Sequence, residues 1–274
     1  STAATMTMGD MGTVGVSKAG GFNVNGAYDE TYPTAYEENS DAGGQSSLNA
    51  VGNWADDNAI IYKAPALDLM GASVSIGLEY SLQAGTATGG DGVAPARSDT
   101  YGNGTGLGVT VAYEGLTLGA YGAERENKNP TDAKQVADEF NGSWFANYNF
   151  GPVSIGYQET YFDAGLAQTA TDQTTTSARS VGLSGGIFSG EAMSIAFNVN
   201  DNLSISYSEV EDTYDSQDHE STTEDVTMKT ESLQVAYSMG SMSIKAYSTE
   251  TSNPNYDSDA DKLNVNEIAL GIAF

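Results

Sequence analysis

Most of the chain alternates apolar and polar residues with a period of two, which predicts β-strands that have one apolar face. Residues 72–82 show the pattern most clearly. One face there carries Val74, Ile76, Leu78, Tyr80 and Leu82, and the other carries Ser73, Ser75, Gly77, Glu79 and Ser81. The sequence does not sustain a helical period of 3.6 residues in any segment.

Turn-forming residues divide the alternating segments into thirteen predicted strands. They cover residues 3–9, 13–18, 59–64, 72–82, 105–113, 116–125, 140–149, 153–162, 178–199, 203–210, 227–238, 242–250 and 262–274. Residues 178–199 are long for one strand. We interpret them as a strand with a bulge or kink near Gly185, Gly186 and Gly190, because glycine inside a strand marks such sites.

The connections between the strands also follow a pattern, because a short turn is repeatedly followed by a long loop. The polar face of the strands consists mainly of small residues, whereas a soluble β-sandwich usually exposes Lys and Glu. A transmembrane β-barrel has an apolar outer face, a polar inner face, short turns on one side and long loops on the other. We therefore predict an all-β fold, an antiparallel transmembrane β-barrel that forms a single domain over residues 1–274. Its sheet must close, because lipid excludes open sheet edges.

The alternation is interrupted from Ala19 to Asp57. This segment contains aromatic residues that can pack, seven acidic residues, and no Lys or Arg. A structureless insert of this length is usually functional or disordered. We interpret residues 19–57 as a constriction loop that folds into the lumen of the barrel, narrows the pore and sets its charge. The alternative is a surface loop that faces solvent.

Composition excludes several classes of function. The net charge of -27 comes from 37 acidic and 10 basic residues, so the chain has little positive charge with which to bind nucleic acid or anionic lipid. The absence of Cys excludes disulfides and thiolate chemistry. A hydrophobic content of 39% together with this charge could indicate disorder, but the period of two argues against it.

An odd number of strands is unexpected for a bacterial single-chain barrel, because such barrels have an even number. If the short turns are periplasmic, Phe274 lies on the periplasmic side and Ser1 on the extracellular side. We therefore expect an odd number of N-terminal strands to be missing from this sequence.

Four segments resemble the general bacterial outer-membrane porins, most closely the sixteen-stranded trimeric porins of alphaproteobacterial type. They are the strand pair TMTMGDMGTVGV, the insert at 19–57, the segment ADDNAIIYKAP and the ending EIALGIAF. The resemblance implies three strands before Ser1, a homotrimer in outer-membrane lipid, and passive diffusion of small hydrophilic solutes. It also implies that Phe274 ends an assembly signal, although Asn266 stands where that signal often has a bulky residue.

Charged side chains at a narrowing select ions by the sign of their charge. We expect five acidic residues of the insert to line the pore: Asp29, Glu30, Glu37, Glu38 and Asp41. Arg125 and Lys245 are candidate facing bases from their parity along the strands. Lys63 is a third candidate, on a strand too short for parity to decide its direction. These residues predict a weakly cation-selective channel. The alternatives are a substrate-specific channel and a structural or adhesive barrel whose loops act as receptors for surfaces or phage.

We do not expect the protein to be an enzyme. The sole histidine, His219, lies in an acidic loop, and the sequence suggests no partner Ser or oriented dyad for it. The alternating carboxylates Asp257, Asp259 and Asp261 are weak candidates for Ca²⁺, because the run lacks the glycine and the distal Glu of an EF-hand loop. We expect no cofactor beyond loosely bound Ca²⁺ or Mg²⁺.

Overall fold

The structure is a computed structural model, and it describes residues 2–18, 21–42, 46–56, 58–82, 84, 101–128, 134–170, 172–217 and 225–273. In these residues fourteen antiparallel strands form one sheet. The strands are β1 Thr2–Thr7, β2 Thr13–Lys18, β3 Ala59–Lys63, β4 Leu67–Leu69, β5 Ala72–Ser81, β6 Tyr101–Tyr113, β7 Leu116–Asn127, β8 Glu139–Phe150, β9 Val153–Asp163, β10 Ile187–Asn200, β11 Leu203–Asp215, β12 Val226–Met239, β13 Met242–Ser252 and β14 Leu263–Ile272. Short 3-10 helical turns lie at Gly9–Met11, Asn25–Ala27, Ser47–Asn49, Asn53–Asp56 and Pro254–Tyr256.

The strands follow one another across the sheet in chain order from β1 to β14, except that β4 pairs only with β5. Each pair is antiparallel, which confirms the all-β antiparallel sheet predicted from the alternation. Among the described residues, β1 and β14 form no ladder with each other. No helix in the described ranges is long and apolar enough to span a membrane.

Burial follows the predicted alternation along β5. Leu78 and Tyr80 are 45% and 39% exposed on one face, whereas Glu79 and Ser81 on the other face are buried. Ile76 shares the parity of Leu78, and Gly77 next to it faces Val24 of the segment between β2 and β3. The apolar face of the sheet is therefore its outer face, and the polar face is covered from within.

The covering element is the segment between β2 and β3, called here the inner loop (described residues 21–42 and 46–56). Its residues contact inward-facing positions on every strand from β2 to β14 except β4. One face of a sheet can touch a single loop at so many consecutive strands only if the sheet curves around it. The main core consequently lies between the inner loop and the wall, where Tyr28, Val51 and Trp54 pack against Ile61 and Tyr121.

Two sequence predictions about strands were wrong. Residues 178–186 do not extend β10, which begins at Ile187, and Gly190 lies in regular register with Asp212 rather than in a bulge. The backbone leaves the ladder there because the Arg179 N–H donates to the carbonyl oxygen of Asn255 and Gly186 has φ 113°. Residues 65–71, which lie between two of the predicted strands, contain the short strand β4, and β4 forms a tight hairpin with β5.

The outer face also carries carboxylates. They share the parity of the exposed apolar residues on consecutive strands: Glu159 on β9, Glu191 on β10, Glu209 and Glu211 on β11, Glu231 on β12 and Glu250 on β13. Aromatic donors hold two of them, since Trp144 Nε1 donates to Glu159 at 2.9 Å and the Tyr207 hydroxyl donates to Glu231 at 2.7 Å. Lys229 pairs with Glu209 at 2.9 Å.

Candidate pore constriction

The inner loop runs along the wall in two halves. Its outgoing half contacts β5, β9 and β12 in turn through Val24, Thr31 and Tyr36. Its returning half contacts β11 and then β8 through Ser47 and Gly52. The loop thus runs along the inner face of the sheet from β5 to β12 and returns by way of β11 and β8.

A buried carboxylate fixes the start of the outgoing half. Glu79 on β5 accepts the backbone N–H groups of Val24 and Asn25, the latter at 3.2 Å. Its second oxygen accepts the Tyr121 hydroxyl at 2.7 Å. Because Glu79 is only 2% exposed, it supplies acceptors that water cannot supply at this position.

Two glutamine side chains hold the middle and the tip of the same half. Gln158 accepts the Thr31 N–H at 2.8 Å and donates to the Tyr28 carbonyl at 2.7 Å. Gln234 accepts the N–H groups of Tyr36 and Glu37 at 2.9 and 3.0 Å and donates to the Glu37 carbonyl at 2.8 Å. A primary amide has both a donor and an acceptor, so each glutamine satisfies both kinds of backbone group in a segment that has no strand partner.

The returning half is fixed by a second buried carboxylate. Asp212 on β11 accepts the Ser47 N–H, and the Ser47 hydroxyl lies 2.7 Å from the hydroxyl of Thr160. Further along, Asn141 accepts the Gly52 N–H at 2.9 Å.

At the tip, the inner loop reaches the opposite wall. The Tyr36 hydroxyl donates to Glu267 on β14 at 2.8 Å, and Lys245 on β13 places its Nζ 4.8 Å from the centre of the Tyr36 ring. Tyr247 lies beside the same ring, with 6.0 Å between centroids. The tip is therefore attached to the three neighbouring strands β12, β13 and β14.

The structure separates the five predicted pore acids into two groups. Glu30 is buried and accepts from the Tyr32 hydroxyl at 2.8 Å and from Ser40, whereas Asp29 is half-buried and its Oδ1 has no partner in the described part of the chain. Burial raises the pKa of both carboxyls to about 7. For Asp29 the neighbouring charges, first that of Glu30 and then that of Glu38, raise the pKa further.

The remaining three acids lie nearer to solvent. Glu38 and Asp41 are exposed and Glu37 is half-buried. Burial of part of the side chain, followed by the charges of Asp41 and Glu37, raises the pKa of Glu38. These three carboxylates lie close together in the sequence, next to the tip of the inner loop.

The three predicted bases lie at separate places. Lys63 places its Nζ 4.6 Å from the centre of the Phe22 ring near the start of the inner loop, and Lys245 lies at the tip. Arg125 is buried in the wall, where it pairs with Glu139 on β8 and stacks on the Tyr101 ring at 3.7 Å. Arg125 therefore meets a carboxylate of the wall, whereas the two lysines meet aromatic rings of the inner loop.

Sequence reasoning missed the wall residues that hold the inner loop. Glu79, Gln158, Gln234 and Asp212 are buried polar side chains on the inner face, which also carries aromatic residues such as Tyr121, Phe188 and Tyr214. Their parity places them on that face, and only the fold shows which loop atoms they bind.

The candidate Ca²⁺ ligands Asp257, Asp259 and Asp261 lie between β13 and β14. Asp257 accepts the backbone N–H of Asp259 at 3.0 Å, and the described ranges contain no group of three or more His, Cys, Asp or Glu side chains placed to hold a metal ion. Phe274, the predicted end of the assembly signal, and His219 lie outside the described residues.

Comparison with solved structures identifies the fold. The chain is similar to an anion-selective porin from Comamonas acidovorans, with a TM-score of 0.54 and 14% identity over 96% of this chain and 70% of that one. A second porin structure gives a TM-score of 0.55 and 14% identity over 95% of this chain and 79% of that one. A loop L8 deletion mutant of OmpT, an outer membrane protein of Vibrio cholerae, gives 0.53 and 16% over 96% and 76%.

No protein-family model matches the sequence, and a search of curated proteins finds no match. The sheet thus has the fold of porin β-barrels, which is consistent with the bacterial outer membrane.

Proposed function

We propose that the protein forms a water-filled channel for the passive diffusion of small hydrophilic solutes and ions across the outer membrane, with a weak preference for cations. A single observation supports this most strongly. The inner loop is held across the interior at both halves and at its tip, and Glu38 and Asp41 remain exposed beside the passage. A fixed loop with exposed carboxylates gives a permanent narrowing with negative charge.

The local charge decides the expected sign of the selectivity. Three carboxylates follow one another at the tip, and the nearby Lys245 lies over the Tyr36 ring. The porin from Comamonas acidovorans is anion-selective, so the shared fold leaves the sign to the residues of each chain. In this chain the residues at the tip favour cations.

The test is the reversal potential across a KCl gradient in a planar bilayer. The protein should prefer potassium, most strongly at low salt, because exposed charges are screened beyond roughly 8–10 Å at ordinary ionic strength. The triple variant Glu37→Gln, Glu38→Gln and Asp41→Asn should shift the reversal potential toward that of an anion-preferring channel.

A matched control removes three carboxylates from the outer face, with the changes Glu124→Gln, Glu191→Gln and Glu250→Gln. It has the same net charge as the first triple variant and should keep the original selectivity. A protein that prefers chloride, or a tip variant with an unchanged reversal potential, would contradict the proposed role of the loop. A closed, non-conducting protein would favour the structural or adhesive barrel instead.

The proposal includes assembly as a homotrimer in outer-membrane lipid, and it makes the protein a channel rather than an enzyme. Loose divalent-cation binding by the acidic loops remains part of it and needs no dedicated site.

A further inference from the structure

A polar cavity of about 250 Å³ lies above the returning half of the inner loop. Residues 179–181, between β9 and β10, and residues 255–256, between β13 and β14, also line it. Hydroxyl and amide side chains line most of it, together with one cationic residue, Arg179. The polar side chains are Ser46, Asn49, Asn53, Ser180 and Asn255.

Arg179 is unusual for its degree of burial, because it is only 2% exposed. Its Nη1 donates to the carbonyl oxygen of Tyr256, and its Cζ lies 4.5 Å from the centre of the Tyr214 ring. Its other two nitrogens, Nε and Nη2, have no hydrogen-bond partner among the described residues. Both nitrogens are covered, so a ligand in the cavity would have to draw the guanidinium toward itself.

The other buried arginine among the described residues provides an internal comparison. Arg125 is 8% exposed and pairs directly with the carboxylate of Glu139. Arg179 forms no ion pair within 4.0 Å in the described ranges, although Asp172 and Asp257 act on it from a greater distance. Burial lowers the pKa of Arg179, which shows that its environment disfavours the charge.

A buried cation without a paired anion is costly, and a guanidinium is shaped to bind a carboxylate through two parallel hydrogen bonds. The neighbouring amides and hydroxyls can donate to and accept from hydroxyl groups. The side chains of Asn49 and Asn255 make no hydrogen bond to another described residue, so both are available to a ligand.

We propose that this cavity is a binding subsite for a small hydroxylated organic acid, whose carboxylate pairs with Arg179 and whose hydroxyl groups meet the amide and hydroxyl lining. The subsite would enrich one class of solute above the narrowing. It goes beyond the proposed channel function, because binding can be measured in detergent whether or not the channel prefers cations.

The test is isothermal titration calorimetry on the purified protein in detergent, at low salt and without divalent cations. Sodium gluconate is the probe, and glucose and sodium acetate separate the contributions of the hydroxyl groups and of the carboxylate. We expect saturable binding of gluconate, at least tenfold weaker binding of acetate, and no saturable binding of glucose. Arg179→Gln should weaken gluconate binding at least tenfold.

Two further variants distinguish binding from a purely structural role of Arg179. Asn49→Leu places an apolar side chain in the cavity lining and leaves Arg179 unchanged, and it should abolish gluconate binding while the β-sheet circular dichroism is unchanged. Lys128→Gln removes one exposed positive charge that does not line the cavity and should bind gluconate normally.

The proposal is overturned if the unmodified protein shows no saturable binding of gluconate. It is equally overturned if the Asn49→Leu variant binds as tightly as the unmodified protein. If Arg179→Gln does not fold, the result for Asn49→Leu decides.

Discussion

At the scale of single residues, a few long polar side chains of the wall hold a loop that has no strand partner. Gln234 bonds to the backbone of Tyr36, which lies 198 positions away in the sequence, and Gln158 bonds to Thr31, 127 positions away. The sequence indicates that such residues point inward, because their parity places them on the polar face. It does not indicate which loop atoms they meet, because those contacts depend on the path of the chain through the interior.

The buried carboxyls of the inner loop predict a pH dependence. Asp29 and Glu30 have pKa values of about 7, above their ordinary values of 3.8 and 4.5, so the folded state favours their neutral forms. The free energy of unfolding should therefore fall as the pH rises from about 4 to 7 and level off above that range. Thermal unfolding in detergent across this range would measure it.

The same titration should also change conduction. Raising the pH from 6 to 8 adds negative charge to the loop, so the preference for cations should increase. The double variant Asp29→Asn and Glu30→Gln should show a flatter dependence in both measurements. An identical pH profile in this variant would mean that other groups are responsible.

At the scale of elements, the inner face of β6 is shaped to receive the inner loop. A Cβ atom at Gly108 would lie 2.5 Å from the ring of Tyr28, and one at Gly104 would lie 2.7 Å from the ring of Trp54. The sequence shows small residues on this face, which suggested a water-filled interior. In the structure much of the free space is instead filled by aromatic rings of the loop.

A methyl group at this contact should displace the loop. Gly108→Ala should destabilise the packed state by about 1–3 kcal/mol, because overpacking forces neighbouring atoms to shift. We expect larger or noisier single-channel conductance than in the unmodified protein. Gly122→Ala on the adjacent strand is the control, because a Cβ there would meet nothing within 4 Å. Equal conductance in the two variants would show that Tyr28 does not fix the width of the passage.

At the scale of the whole molecule, the sequence predicts the order of the strands and which side chains point outward. Both follow from the period of two, because alternate residues of a strand lie on opposite faces of the sheet. The boundaries near residues 178–186 do not follow, because alternation continues there although the backbone bonds to another loop.

The number of subunits depends on contacts made by the outer surface of the barrel. If the protein is the proposed homotrimer, light scattering in detergent should give a protein mass of three times the chain mass of 28.5 kDa. A value near one chain would contradict the trimer and leave the channel proposal standing.

The outward-facing carboxylates have a consequence for the surrounding bilayer. On β5, outward apolar residues run from Ala72 to Tyr80, a height of roughly 20 Å for a tilted strand. On β11 they run only from Leu203 to Tyr207, roughly 10 Å, before Glu209 begins. In a bilayer, the lipid beside β11 must be thinner than the lipid beside β5, or the barrel must tilt. Neighbouring membrane proteins would then be favoured on the side where the lipid thickness matches their own. The protein would acquire a preferred orientation toward them without any direct contact.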